Sequence, residues 1–459
     1  MSGYRTLHRH TECQDNAVSS DNESSVTVST SCPVFAVTFS PCQQTHVNTR
    51  SAAANPNVKP PTRLLASSAD GLIRSYKITD KSIKADVLDA AALSMELEQI
   101  MLTSSDALYP PSSNEESILG LGCPAISVAR NYVGEDPSAG DEVAASIRLD
   151  GHIAIWKRGE QPSYPDHTDS KAEIQTDTEA EAEAETEIQK DEAPIAVKPD
   201  VELDIKGTTG TTMVLLSPKS TGFSRHGIVM MVGMLDGSVS FICTGIGIPD
   251  SRKCNDASKF SEKGTVLDNI GSGNSIALSL AVHPLHHLTF AVGRKDGTID
   301  IYSAGNGNGG NGSGSGDDLY GQVRRCHHLT QHAGNPVRAL SFTPDGSLLI
   351  SGCDDGHIYI HDTSSFRQND SIRMVAAIHN AHKGYILSVD VLPDSKRFVT
   401  SSVDKTVKVW NVGTPNNGPV HTFDTGHENM IWDVSCSTDG RRCVSCSDDG
   451  FVQVYSCEE

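Results

Sequence analysis

The sequence predicts an all-β fold: a ring of seven four-stranded sheets, a seven-bladed β-propeller with disordered insertions. Three observations predict it. First, an aspartate in a tight turn, followed six residues later by the end of a short alternating strand, recurs seven times, at Asp70, Asp150, Asp236, Asp296, Asp355, Asp404 and Asp449. Second, another apolar strand lies upstream of each aspartate, and in the C-terminal copies it ends in a hairpin turn (VRALSFTPDG, ILSVDVLPDS, IWDVSCSTDG). Proline sets φ in such turns and glycine accepts a positive φ. Third, the last three aspartates fall close to the 40–45-residue period of a propeller blade, and the wider spacing of the earlier ones marks insertions.

Blade one is read at 32–77, ending in SADGLIRSY at Tyr76, and blade two at 123–158, ending in RLDGHIAIW at Trp156. Blade three (208–244) ends in MLDGSVSFI at Ile242, and blade four (273–303) in RKDGTIDIY at Tyr302. Blades five (335–363), six (384–412) and seven (429–457) end in CDDGHIYIH at His361, SVDKTVKVW at Trp410 and SDDGFVQVY at Tyr455. Each unit reads strand, turn, strand, aspartate turn, strand, and then a more polar fourth strand. Such sheets have two buried faces and exposed edges, which radial stacking protects. Blade seven reaches only its third strand by Cys457, so its outer strand is expected from elsewhere. GYRTLHRH, within residues 1–12, is the expected donor, with His10 as the loop histidine of blade one.

Four segments are read as insertions. Residues 40–62 are polar and carry proline. Residues 78–122 include DVLDAAALSMELEQIML (86–102), whose Leu88, Leu93, Leu97 and Met101 have helical spacing, so a helix is expected there. Residues 159–207 contain TDTEAEAEAETEIQKDEA, a charged run expected to be disordered. Residues 304–328 form a Gly/Asn-rich linker.

Composition narrows the function. A formal net charge of −21 argues against a surface that grips nucleic acid through phosphates, so no direct nucleic-acid partner is expected. There is no apolar run of the ~18 residues that would suggest a membrane span, and MSGYRTLHRHTEC has no apolar segment behind it to serve as a secretory signal. The 12 cysteines lack a framework spacing and are expected to be reduced and buried. Gly305, Gly307 and Gly310 formally match a phosphate-binding fingerprint, but more glycine follows where a helix N-terminus is required. Cys443 and Cys446 form a CxxC inside a predicted strand, where residues three apart point to opposite faces. His286-His287 and His327-His328 read as turn residues without metal-ligand spacing. No cofactor, metal or catalytic group is therefore expected.

The Asp-to-aromatic pattern resembles the WD-repeat β-propeller family. That resemblance implies a buried network of loop histidine, strand hydroxyl, turn aspartate and closing tryptophan. It maps onto His382, Ser401 (or Ser402), Asp404 and Trp410 in blade six, and onto His427 and Asp449 in blade seven, where Tyr455 replaces the tryptophan. In blade five, His332 and Asp355 keep the pattern and His361 takes the aromatic place. The aspartates are thus read as structural acceptors, not catalytic carboxylates.

Within that family, residues 335–457 resemble the WD-repeat subunits of superkiller (Ski) complexes, which are shared with the Paf transcription-elongation complex. NPVRALSFTPDGSLLISGCDDGHIYIHD, YILSVDVLPDSKRFVTSSVDKTVKVWNVGT and VHTF followed by IWDVSCSTDGRRCVSCSDDGFVQVYSC carry the likeness. The resemblance implies a non-catalytic scaffold that holds a helical-repeat (tetratricopeptide) subunit beside an RNA helicase and supports exosome-dependent 3′-to-5′ mRNA decay in the cytoplasm. Paf-complex subunits would add a nuclear pool. The expected partner surface is the top face, at Phe35, Leu278, Arg338, Leu387 and Trp432, with Tyr385 and Met430 in adjoining loops. Another WD-repeat adaptor, such as a ubiquitin-ligase substrate receptor or a G-protein-β-like scaffold, is the alternative.

Overall fold

The computed structural model describes residues 17–18, 25–30, 32–39, 62–81, 92–103, 125–132, 140–148, 150–158, 195–205, 210–216, 227–246, 266–270, 275–286, 288–304, 323–364, 371–424 and 426–457. These form seven sheets, each with at least four strands. Every blade begins on an innermost strand: Val34–Phe39, Ala125–Tyr132, Gly210–Leu216, Ala277–Val282, Val337–Phe342, Ile386–Val391 and Ile431–Cys436. Consecutive innermost strands touch, including those of blades seven and one, so the ring is closed.

The core is divided among the seams. One apolar cluster fills each gap between facing sheets, for example Ile350, Ile360, Val389, Phe398 and Trp410 between blades five and six. Alternate residues of one strand serve two seams. Leu64 and Ala66 pack toward blade seven, whereas Leu65 packs toward blade two. This two-sided burial explains the continuous apolar runs. Each buried Leu, Ile or Val contributes roughly 1.5–3 kcal/mol. The turn aspartate is followed by glycine in blades one to five and seven, with φ between 75° and 85°. Blade six carries Lys405 there instead, at φ 69°, the strained left-handed region for a side chain with a Cβ.

The outer strands depart from the sequence reading. Blade seven is closed by Ser25–Ser29, which pairs antiparallel with Phe451–Ser456 (Val26 opposite Val454, Val28 opposite Val452), so the clasp comes from residues 25–29 rather than 3–10. The alternation of SVTVS decides it. Val28 is buried against Val452 and Val454, and Thr30 fixes the exit by hydrogen bonds to the Gly450 carbonyl. Residues 1–12, with His10, lie outside the described residues. Segment 86–102 is not a helix over its described part: Ala92–Leu102 is the outer strand of blade one. Met95 is buried, Leu97 packs against the same cluster, and a bulge at Glu98 resets the alternation so that Ile100 and Leu102 are buried as well. Pairing with Leu72–Lys81 overrides the local helical spacing. Two further outer strands lie in segments assigned to insertions: Val201–Asp204 in blade two, within 159–207, and Val323–Leu329 in blade four, partly within 304–328. His327 and His328 are therefore strand residues, not turn residues.

Two blades gain a fifth strand. Ile195–Val197 pairs in parallel with Gln99–Met101 at the edge of blade one, and Ala17–Val18 pairs with the closing strand of blade seven.

Candidate docking face

The buried network orders the top of blades five to seven. In blade six Trp410 Nε1 donates to Thr400 Oγ1 at 2.9 Å, and Thr400 Oγ1 lies 2.7 Å from His382 Nε2. His382 Nδ1 reaches Asp404 at 3.0 Å. The strand hydroxyl is Thr400, not Ser401. Phe398 pairs with Trp410 and Thr400 with Lys408, so Thr400 shares the tryptophan's face, while Ser401 points to the opposite face and its buried Oγ has no partner. Burial lowers the His382 pKa, against the raising effect of Asp404. Burial pushes the Asp404 carboxyl up, but His382 and Thr406 outweigh it and hold the group below the usual carboxylate range. A neutral imidazole therefore donates from Nδ1 to a carboxylate and accepts the Thr400 hydroxyl at Nε2. Every polar atom of the relay is satisfied.

Blade seven repeats the arrangement with Ser445 as the hydroxyl. His427 lies 2.7 Å from Ser445 Oγ and 3.0 Å from Asp449. Tyr455 OH sits 3.3 Å from Ser445 Oγ. In blade five His332 Nε2 meets Ser351 Oγ at 2.9 Å, but His361, fully buried, leaves both ring nitrogens without a partner. Burial lowers His332 and His361 to about 4 each.

On this frame the innermost strands carry a recurrent β-bulge. The ladder skips one residue at Phe35, Thr211, Leu278, Arg338, Leu387 and Trp432, in every blade except the second. A bulge re-aims a side chain out of the pleat, and these residues ring the mouth of a central channel of about 520 Å³. Five of the six are the top-face residues expected from sequence. The sixth, Thr211, was missed, and its hydroxyl is spent on the Gly233 and Ala277 carbonyls. Tyr385 stands beside the mouth with half its surface exposed, and Met430 is half-buried in the preceding loop of blade seven.

The described bulge residues differ in character around the mouth. Trp432 and Phe35 meet edge to face across the closing seam, with ring centroids 5.8 Å apart. Trp432 Nε1 donates to Asp448 at 3.3 Å. Arg338 makes a two-pronged ion pair with Asp354, at 2.6 and 3.0 Å. Asp354 and Asp448 each precede a turn aspartate and were not singled out in the sequence.

Deeper in the wall, Asp390 and Asp433 join blades. Asp390 accepts the Cys436 amide at 2.7 Å, linking blades six and seven, and Asp433 accepts the Val37 amide at 3.0 Å, linking seven and one. Burial pushes Asp390 up to about 7 and Asp433 up to about 6.

No group of three or more metal-ligating side chains occurs among the described residues. Cys443 packs into the seam between blades six and seven, and Cys446 into the seam between seven and one, so the CxxC thiols face opposite ways. The Gly305–Gly310 string and His287 lie outside the described residues.

Comparison with known proteins places the chain by its last three blades. Residues 323–362, 375–411 and 417–456 match the family model "WD domain, G-beta repeat". Among curated proteins, the chain is similar to "Non-functional target of rapamycin complex subunit LST8-2" of Arabidopsis thaliana, with 32% identity over 24% of this chain and 35% of that protein. It is also similar to "WD repeat-containing protein 1" of Gallus gallus, with 30% identity over 25% of this chain and 18% of that protein. A third likeness is to "Polyadenylation factor subunit 2" of Cryptococcus neoformans, with 30% identity over 27% of this chain and 16% of that protein. The chain spans about a third or less of these relatives in the matched regions. With seven sheets in a closed ring and these three matched segments, the chain is a seven-bladed β-propeller carrying WD repeats.

Proposed function

We propose that the chain is a non-catalytic scaffold subunit of a Ski-type complex, holding a helical-repeat (tetratricopeptide) subunit beside an RNA helicase through its top face and so supporting exosome-dependent 3′-to-5′ mRNA decay. The observation that carries the docking reading is the run of outward-aimed bulge residues from blade five through blade one: Arg338, Leu387, Trp432 and Phe35, with Tyr385 between them. Trp, Tyr and Arg are the residues that dominate binding at protein interfaces. The Ski assignment is supported by the motif likeness of residues 335–457. A Paf-type assembly, with a nuclear as well as a cytoplasmic pool, is part of the same proposal. The net charge of −21 fits a division of labour in which the helicase grips RNA.

The test is affinity purification of the tagged full-length protein beside a Trp432→Ala version, read by mass spectrometry. Recovery of a helicase and a tetratricopeptide subunit, lost in the variant, supports the function and the face together. Recovery of only Paf-type subunits moves the role to the nucleus. Recovery of neither by a well-folded bait overturns the Ski assignment and favours another WD-repeat adaptor.

A further inference from the structure

We propose that the outer edge of blade five, Arg373–Ile378, is a second docking site, which takes an extended apolar segment of a partner polypeptide as a fifth strand. The strand ends its sheet, and among the described residues no further strand pairs with it; the short turn Pro415–Asn417 packs beside it and still leaves Met374 and Val375 about half exposed. An unpaired edge presents a row of backbone donors and acceptors, and folded proteins normally guard such edges with charge, shortness or cover.

Most of the other four-stranded blades show those guards. The outer strand of blade four carries exposed Arg324, Arg325 and His328, and that of blade two carries Glu202 and Asp204. In blade six the outer strand is only His421–Phe423. Blade three is the exception: on its five-residue outer strand Val266–Ile270, Val266 is 54% exposed, beside exposed Asn269. Blade five has RMVAAI, in which Met374 is 45% and Val375 51% exposed, with Arg373 the one charged residue.

The chain itself demonstrates what such an edge accepts. The outer strand of blade one has a bulge at Glu98, and the fifth strand Ile195–Val197 pairs just beyond it, on Gln99–Met101. Blade five has the same bulge at Val375, and the corresponding stretch is Ala376–Ile378, contiguous with exposed Arg373, Met374 and Val375. The bulge is thus no barrier to augmentation. The ladder would supply affinity and the alternate side chains specificity. Apolar residues would cover Met374 and Val375, and an acidic residue would complement Arg373.

The site is on the rim, not at the channel mouth, so it stands or falls separately from the top-face reading. The experiment uses full-length protein labelled at methionine methyls, with the Met374 resonance assigned by its loss in Met374→Leu. The probe is a capped peptide of one glutamate followed by three valine–threonine pairs. The control is the same peptide with proline at its centre, which lacks a ladder donor. The expected result is a saturable shift confined to Met374, absent with the proline peptide, unaffected by Trp432→Ala and weakened at least ~10-fold by Val375→Lys, an edge guard of the kind natural sheets use. If Val375→Lys disturbs the other methionine signals, the proline control decides alone. An unmoved Met374 resonance, equal binding of the proline peptide, or equal binding by a well-folded Val375→Lys protein overturns the proposal. A Met374 shift that depends on protein concentration without peptide also overturns it, and assigns the edge to a second copy.

Discussion

Replacing Thr400 by valine tests the blade-six relay where sequence and structure disagree. Valine keeps the shape of threonine and opens no cavity, so the loss is confined to one hydroxyl. That hydroxyl accepts from Trp410 Nε1 at 2.9 Å and lies 2.7 Å from His382 Nε2. Both partners are buried, and neither can turn to water without breaking the seam between blades five and six. Leaving a buried polar group unpaired costs about 1–3 kcal/mol, so Thr400→Val should destabilise the protein by about 2–4 kcal/mol. Ser401→Ala is the matched control. Its Oγ has no partner, and its removal should cost no more than about 0.5 kcal/mol. Urea unfolding followed by tryptophan fluorescence, with amide exchange in residues 397–411 as the local probe, measures both. A larger loss in Ser401→Ala than in Thr400→Val would refute the assignment of the relay.

The channel carboxylates predict an unusual pH limb. Folding raises the Asp390 pKa to about 7, so its contribution to stability is present below the unfolded value near 4 and is lost as pH rises through about 7. Asp390→Asn should therefore raise stability by about 1–2 kcal/mol at pH 8 relative to the parent, with no such gain at pH 4, as thermal melts across pH would report. His361 acts with the opposite sign. Its folded pKa of about 4 lies below the unfolded value, so stability present at neutral pH is lost as pH falls from about 6.5 toward 4. His361→Phe should flatten that acid limb in the same melts. Lys405→Gly relieves a left-handed φ and should stabilise blade six by about 1 kcal/mol in chemical unfolding. Val28→Asp buries a charge between Val452 and Val454 and should cost about 3 kcal/mol or more, with the loss of amide protection concentrated in Phe451–Ser456.

Local chemistry made part of this structure legible. A turn aspartate before an alternating strand, followed by glycine in six blades and by Lys405 in blade six, depends on adjacent residues alone, so all seven turn aspartates could be read directly from sequence. The top-face positions followed by alignment within each blade, because Val34, Ala277, Val337, Ile386 and Ile431 mark the register and the bulge residue comes next. Thr211 escaped because GTTMVLL has no large residue at that place. Outer strands were the least legible. SVTVS, VELD and VRRCHHL carry few buried apolar residues, and their positions are set by the ladder they join rather than by their own apolarity. The helical reading of 86–102 failed for a related reason. Leu93, Leu97 and Met101 satisfy a four-residue spacing, while Met95, Leu97, Ile100 and Leu102 satisfy a strand interrupted by one bulge, and only the partner strand distinguishes them. The sequence reading places the hydroxyl at Ser401 (or Ser402), beside the turn, whereas the relay uses Thr400, two residues along the strand from Phe398, and a one-residue step from Thr400 to Ser401 selects the opposite face.

The two bulge residues with the largest rings, Trp432 and Phe35, belong to blades that are distant in sequence and adjacent only because the ring closes. Their edge-to-face contact belongs to the same seam as the hydrogen bond from the Val37 amide to Asp433, and that seam is packed by Val28 from the closing strand. Closure and the aromatic part of the docking face are thus one structural event: a ring opened between blades seven and one would separate Phe35 from Trp432 without changing either residue. The face extending from Arg338 to Phe35 consequently has two kinds of dependence. Its blade-five end is secured locally, by the Arg338–Asp354 ion pair within one sheet, and its blade-one end is secured by the clasp. A partner that spans both ends would bind the closed ring in preference to the open one. By linkage, it would stabilise the clasp to the same extent that the clasp strengthens its binding.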